Sequence, residues 1–528
     1  MYRIYLLLLS ALLLFTSCVE HPHFVRNDIQ VCQTEGFTGY FVPDGTGSYG
    51  LLYVDRGKLY AEEYRVEISR WFGRTYLKGE ELERTRCTLS RYTNPTSHPI
   101  AEGVDYRTPH CTISMTRDVE YARAKGFWTS YPYDNSGNFG RVVFDKWDDL
   151  LRKDLDEQSL RFDVYQPDDE GNHLRPLLVM IHEGAFFAGD KTDDVSRRWC
   201  EKFASCGYVA VSVNYRMGFN LVTYSVSDAA YSALQDTHAA LRYLLSHRVT
   251  YRIDPDKIFL AGCSAGAIVA LNTAFLNDSN IPESMRDVAS KLGPLGAIPV
   301  TPAYDEPFTV RAVGNMWGAV LDPKILKSSP TSIISFHGIY DPVVPYGQGV
   351  PFEDFVKDMF SEMPGGKWAG GYLTKKVMPE VYGSSCVDEA ARKIGKRSEL
   401  HPFNIHKHTL VRNDDTGDLN ELHEEFFEKM NTFFVDEMIG QPVTLQHGFF
   451  DSQLFLIEHP DNVKDCSWTI ENGFFIESLR PTQVRVLLKG ESYDATLSVK
   501  GVYTSGISFE ESWELKEGES GSKGSERF

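Results

Sequence analysis

Gly262-Cys263-Ser264-Ala265-Gly266 decides how this chain is read. Ahead of it, Ile258 to Ala261 is an apolar run that predicts a buried strand. Behind it, Ala265 to Ala274 is compatible with a helix. A serine on a tight turn between strand and helix is lifted clear of a sheet and presented as a nucleophile. The flanking glycines fit that geometry, because a side chain at either position would meet the neighbouring strand and helix. The turn also aims the N–H of Ala265 at a developing oxyanion, which makes Ala265 an expected donor. A Gly-Ser turn without chemistry is the alternative, and the sequence around the motif weighs against it.

Leu177 to Ile181 and Val209 to Val213 are continuous apolar runs, as expected of strands buried on both faces. Ala229 to Leu245 has a helical composition, and Ser332 to Phe336 reads as a later strand. Leu419, Leu422, Phe426, Met430, Phe433 and Phe434 recur at steps of three and four, marking an amphipathic helix. Strands alternating with helices imply an α/β class fold, a mostly parallel sheet with helices on both faces.

Further motifs fall between these elements. His182-Glu183-Gly184-Ala185-Phe186 follows the first of the strands, then come Gly189-Asp190-Lys191, Asn214-Tyr215-Arg216 and Gln235-Asp236. In this order and spacing, with the serine motif, they resemble bacterial carboxylesterases of the α/β-hydrolase superfamily over about residues 155 to 440. The resemblance implies a serine hydrolase that needs no cofactor and no metal. His182 to Phe186 is similar to the His-Gly-Gly-Gly oxyanion loop of lipases and esterases. It implies a second donor at Gly184 or Ala185. Glu183 departs from that pattern, and a carboxylate facing an oxyanion would oppose catalysis, so its side chain is expected to point away.

His337-Gly338-Ile339-Tyr340-Asp341-Pro342-Val343-Val344-Pro345 looks like the superfamily turn that carries the acid. It implies that Asp341 orients the base, with His337 structural. The base follows the acid in chain order. His401 sits in a strand-like run, Glu399 to Phe403. His423 sits beside Leu422 on the amphipathic helix and is expected to face solvent. His406 and His408 lie in the loop between; His408 is preferred and His406 stays open.

The start of the chain reads as a targeting signal. Arg3, an apolar run from Leu6 to Phe15, and Thr16-Ser17 before Cys18 resemble the bacterial lipobox. The resemblance implies lipidation at Cys18 and a membrane-anchored lipoprotein of the cell envelope, at the outer membrane or cell surface. An ordinary secretory signal is the alternative. The expected layout is a lipoprotein signal peptide over 1–17, a β-rich N-terminal region over 18–110, and an α/β-hydrolase catalytic domain over 111–440. A β-rich, β-sandwich-like module over 441–515 and a disordered tail over 516–528 follow. Within the module, Trp468 to Phe509 resembles PKD-like, immunoglobulin-type modules. Gly45 to Gly50 fits G-x-G-x-x-G, but a strand-like run follows where a dinucleotide site needs a helix.

With 54 Lys and Arg against 73 Asp and Glu, the net charge is −19. That balance disfavours nucleic acid as a partner. None of the nine cysteines forms a CxxC pair, so a zinc site is not expected. The expected partner is a small or polymer-linked ester. Two other readings compete. A prolyl-oligopeptidase-type serine peptidase shares the triad order, but it carries a long propeller ahead of the hydrolase and no repeat is visible here. A non-catalytic surface binding protein on a hydrolase scaffold would have no need of a complete Ser, Asp and His set.

Overall fold

The computed structural model describes residues 103–131 and 154–448 apart from 170, 172, 221–222, 360–370, 373, 376–377 and 414. It also describes residue 100, residues 451–488 apart from 472, residues 495–515, and strands between residues 30 and 91. The proposed signal peptide, Cys18, the tail 516–528 and residues 45–48 of the glycine motif lie outside the described residues. The chain divides into two compact units. One is Val104–Pro442; the other joins Met1–Gly103 and Val443–Phe528.

The Val104–Pro442 unit is built on an eight-stranded sheet. Its strands are β1 (Ile113–Gly126), β2 (Asp156–Pro167), β3 (Arg175–Ile181), β4 (Val209–Val213), β5 (Ile253–Cys263), β6 (Val310–Met316), β7 (Ser332–Gly338) and β8 (Ser398–Phe403). Their order across the sheet is β1-β2-β4-β3-β5-β6-β7-β8. From β4 to β8 every pairing is parallel, and β1 and β2 add an antiparallel edge. All residues of β3, β4 and β7 are buried, which is why these segments are mostly apolar. The longer helices of the unit are α1 (Asp194–Ser205), α2 (Val226–Ser246), α3 (Ala265–Phe275), α4 (Ser384–Lys393) and α5 (Glu421–Ile439). This is the α/β-hydrolase fold.

Side-chain alternation along β5 divides the core. Ile258 and Leu260 join the apolar cluster that holds Leu241 of α2 and Val269 of α3. Phe259 points the other way and stacks on Phe434 of α5, with ring centroids 4.6 Å apart. Burying an aromatic of that size contributes roughly 1.5–3 kcal/mol. Strand order reverses at β3, with β4 on one side and β5 on the other. The loops leaving β3 and β5 therefore diverge, and the crevice between them is where open α/β sheets hold ligands.

The amphipathic helix needs two corrections. It begins at Glu421 rather than at Leu419, because Asn420 caps it, its side-chain oxygen accepting from the Leu422 N–H at 3.0 Å. His423 does not face solvent. It is buried on the same stripe as Phe426, Phe427 and Met430, three, four and seven residues on. Its ring stacks on Trp199 of α1 at 4.7 Å, and the Trp199 Nε1–H donates to the His423 carbonyl at 2.9 Å. Burial pushes its pKa down to about 4, so it stays neutral.

In the other unit, the N-terminal strands form one seven-stranded antiparallel sheet. Tyr49–Asp55, where the glycine motif ends, is one of its strands. The C-terminal segment forms a four-stranded and a three-stranded antiparallel sheet. Trp468, Val484, Val486, Leu497 and Val499 are buried there at alternate strand positions.

Candidate active site

Strand β5 ends at Cys263 and α3 starts at Ala265, so Ser264 is the whole of the turn between them. Its backbone stands at φ 52° and ψ −119°, a conformation costly for a residue with a side chain. The Ser264 N–H donates to the Met316 carbonyl at 2.9 Å, which ties the turn to the end of β6. The turn closes only with glycine on both sides. A Cβ on Gly266 would stand 2.1 Å from the Ile181 carbonyl oxygen, and one on Gly262 would stand 2.4 Å from the Gly266 carbonyl carbon. Backbone cannot yield as a side chain can. Gly266→Ala is therefore expected to destabilise the protein by more than about 3 kcal/mol. A thermal melt of the variant matching wild type would contradict this account of the turn.

Asp341 and His408 arrive from the loops after β7 and β8. His408 Nε2 lies 2.8 Å from Ser264 Oγ. His408 Nδ1 lies 2.7 Å and 2.9 Å from the two carboxylate oxygens of Asp341. Asp341 Oδ1 also accepts from the N–H groups of Val343 and Val344, at 2.8 and 3.1 Å. Burial alone would raise the Asp341 carboxyl. The His408 charge and hydrogen bonds from His337 and His408 outweigh it and hold the carboxyl well below the usual range. For His408 burial works downward, but the Asp341 and Glu183 charges prevail, and its pKa lies above that of free imidazole. Trp317, fully buried and at φ 45°, sets its ring edge-to-face with His408 at 6.2 Å.

The structure keeps His406 and His401 away from this line of contacts and sets His337 against its far end. His406 is exposed. His401 stacks on Phe336 in the body of the sheet, with centroids 5.0 Å apart. His337 is fully buried behind Asp341. Arg412, four residues past His408, anchors the loop. Its guanidinium pairs with Asp193 at 2.8 Å and with Asp194 at the start of α1, and donates to the Gly417 carbonyl at 2.9 Å. Nothing in the local pattern around Arg412 marks it, because its partners lie far away in the chain.

The donors on the β3 side lie in a strained loop. Ala185 and Phe186 have φ of 55° and 60°, both in the left-handed region that side chains disfavour. The Gly184 carbonyl accepts the N–H groups of Phe187 and Ala188, each at 2.9 Å, and closes the loop. The first helical bond of α3 runs from the Ile268 N–H to the Ser264 carbonyl, so the Ala265 N–H is an orphan of the helix N-terminus. Ala185, Phe186, Ser264 and Ala265 line a cleft of about 600 Å³, part of it open to solvent. Neither Gly184 nor Glu183 lines it. Val226, Ile268, Met285, Leu321, Phe352 and Met378 line it as well, and among the described residues no charged side chain does.

Comparison with known proteins adds names to this geometry. Residues 162–294 match the BD-FAE family model. Cholinesterase 1 of Branchiostoma lanceolatum is 31% identical over 151 residues, 28% of this chain and 41% of that protein. Juvenile hormone esterase of Tribolium castaneum is 31% identical over 230 residues, 42% of this chain and 33% of that protein. The chain thus spans less than half the length of these curated relatives. Among solved structures, a thermophilic esterase of Thermogutta terrifontis with propionate bound is 20% identical, with a TM-score of 0.35. That match covers 53% of this chain and 89% of the esterase. The family match and the esterase relatives bear out the resemblance to carboxylesterase-type α/β-hydrolases.

Proposed function

We propose that this chain is a serine esterase that cleaves neutral carboxylic esters through an acyl-enzyme. The observation that carries the reading is the unbroken line of contacts from Ser264 Oγ through His408 to Asp341, at 2.8 and 2.7 Å. In the proposed reaction His408 takes the proton of Ser264 while Oγ attacks the ester carbonyl. Charge develops on the carbonyl oxygen, and the N–H groups of Ala265 and of the Gly184–Ala185 loop receive it. His408 returns the proton to the departing alcohol. Water then enters by the same route in reverse and releases the acid. Asp341 keeps the imidazole in the tautomer that can accept at Nε2 and stabilises its charged form.

The apolar cleft supports an uncharged substrate, since a buried charge without a partner is costly. A panel of p-nitrophenyl acetate, butyrate and octanoate, a succinyl ester and Gly-Pro-anilide tests the proposal. Neutral acyl esters are expected to turn over, with the succinyl ester and the anilide cleaved poorly. Cleavage of the anilide alone would favour the peptidase reading, and no turnover at all the binding-protein reading. His408 must be neutral to act, and its pKa lies above the ordinary ~6.5. kcat/KM is therefore expected to fall as pH drops through a value above ~6.5.

We also propose export and anchoring through a lipid on Cys18, and a PKD-like role for the C-terminal sheets. The motif around Cys18 and the alternating apolar strands support these readings. Labelled palmitate is expected to enter the protein in a bacterial host, and Cys18→Ser to prevent it. Unlabelled, freely periplasmic wild-type protein would contradict the anchor and leave the esterase proposal untouched.

A further inference from the structure

A second histidine touches the acid, and the reaction above does not use it. His337 Nε2 lies 3.1 Å from the Val344 carbonyl oxygen and 3.4 Å from Asp341 Oδ2. Both neighbours are acceptors, so Nε2 carries the ring proton. His337 Nδ1 is then an acceptor, and it lies 2.7 Å from Ser384 Oγ, whose hydroxyl donates to it. Ser384 Oγ in turn accepts from Asn315 Nδ2 at 2.9 Å. The amide orientation of Asn315 is fixed independently, because its Oδ1 accepts the Gly318 N–H at 2.9 Å and a backbone N–H cannot reverse. Its Nδ2 also reaches Ser335 Oγ at 2.9 Å. The donors run in one direction, from Asn315 through Ser384 to His337, whose Nε2–H bonds the Val344 carbonyl with Asp341 Oδ2 beside it.

Asn315, Ser335, Ser384 and His337 are fully buried. Apolar residues could fill that volume without the cost of desolvating four polar groups. This run of donors spans β6, β7 and the start of α4, and it ends beside the carboxylate oxygen closest to His408 Nδ1. We infer that His337 is a positioning residue for the triad. Its Nε2–H is held by the Val344 carbonyl at 3.1 Å and faces Asp341 Oδ2 at 3.4 Å, a polarised N–H beside the carboxylate that Val343, Val344 and His408 bond directly, and it fixes the carboxylate against the base. The ionisable groups around it are Asp341, His408 beyond it, and the Tyr346 phenol, whose ring meets His337 edge-on at 5.6 Å. The Glu183 charge acts on His408 from the β3 side.

The inference rests on the esterase reading, and the test separates the two. Wild type, His337→Phe, His337→Gln and Ser384→Ala are assayed on p-nitrophenyl butyrate across pH, with rates normalised to sites titrated by a fluorophosphonate. Losing an N–H that faces a charged carboxylate is expected to lower kcat about 10- to 100-fold in His337→Phe, with KM little changed. Without that N–H beside it, Asp341 draws more strongly on the His408 proton, so the acid limb should move to higher pH. Gln, which can carry an N–H to the same place, should recover much of the loss. Ser384→Ala frees Nδ1 and should show a smaller loss with the same direction of limb shift. It removes only a hydroxyl and serves as the test if the Phe variant does not fold. Wild-type kcat and limb in folded His337→Phe, or in Ser384→Ala, would overturn the inference. Absence of turnover in wild type would overturn the esterase reading instead.

Discussion

Ser264→Ala is expected to lower ester turnover by about four to six orders of magnitude and leave the fold intact. The Ser264 side chain makes one hydrogen bond, to His408 Nε2. The turn itself is held by the backbone bond to Met316 and by the close approach of Gly262 and Gly266, none of which needs the hydroxyl. The melting curve should therefore stay near wild type while the acyl-enzyme route disappears. The proposed donors, Ala265 and the Gly184–Ala185 loop, remain, so a residual rate above that of water is expected. A variant that melts like wild type and keeps wild-type turnover would leave the proposed mechanism without a nucleophile.

Comparable loss is expected for His408→Ala, and little loss for His406→Ala. Base and nucleophile act as a unit, so the double variant Ser264→Ala/His408→Ala should be about as slow as either single one. His408 alone spans the distance from Ser264 to Asp341, while His406 is exposed on the same loop. Rates of the three variants on p-nitrophenyl butyrate check this. Most of the activity surviving in His408→Ala, or vanishing in His406→Ala, would move the base elsewhere.

How far the sequence carried depends on whether the deciding contacts are local. Strands β3 and β4 were legible because burial on both faces leaves them almost wholly apolar, with Arg175 at the start of one and Ser212 in the other as the polar exceptions. Ser264 was legible because strand, turn and helix are consecutive. Asp341 stood out only through a motif, since its partners are 67 residues away in His408 and next door in Val343 and Val344. His406 and His408 stayed open because a loop has no period to read, and only the fold shows which ring points inward. The choice between Gly184 and Ala185 stays open, because it depends on backbone angles, and a non-glycine residue at φ 55° is not foreseeable from its name. His423 was misread because it was judged beside Leu422 rather than against Phe426 and Phe427, which lie three and four residues on along the buried stripe. The relay through Asn315 and Ser384 joins residues 69 apart and left no signature at all. The grouping of residues 1–103 with 443–528 is likewise non-local.

The most direct measurement is a map of where an active-site-directed fluorophosphonate attaches. Wild-type protein is labelled to completion, weighed intact, digested, and its peptides sequenced by mass spectrometry. One adduct per chain, on Ser264, is expected, with esterase activity lost in step with labelling. An adduct on another residue, or full activity in protein labelled at Ser264, would contradict the claim that Ser264 is the nucleophile.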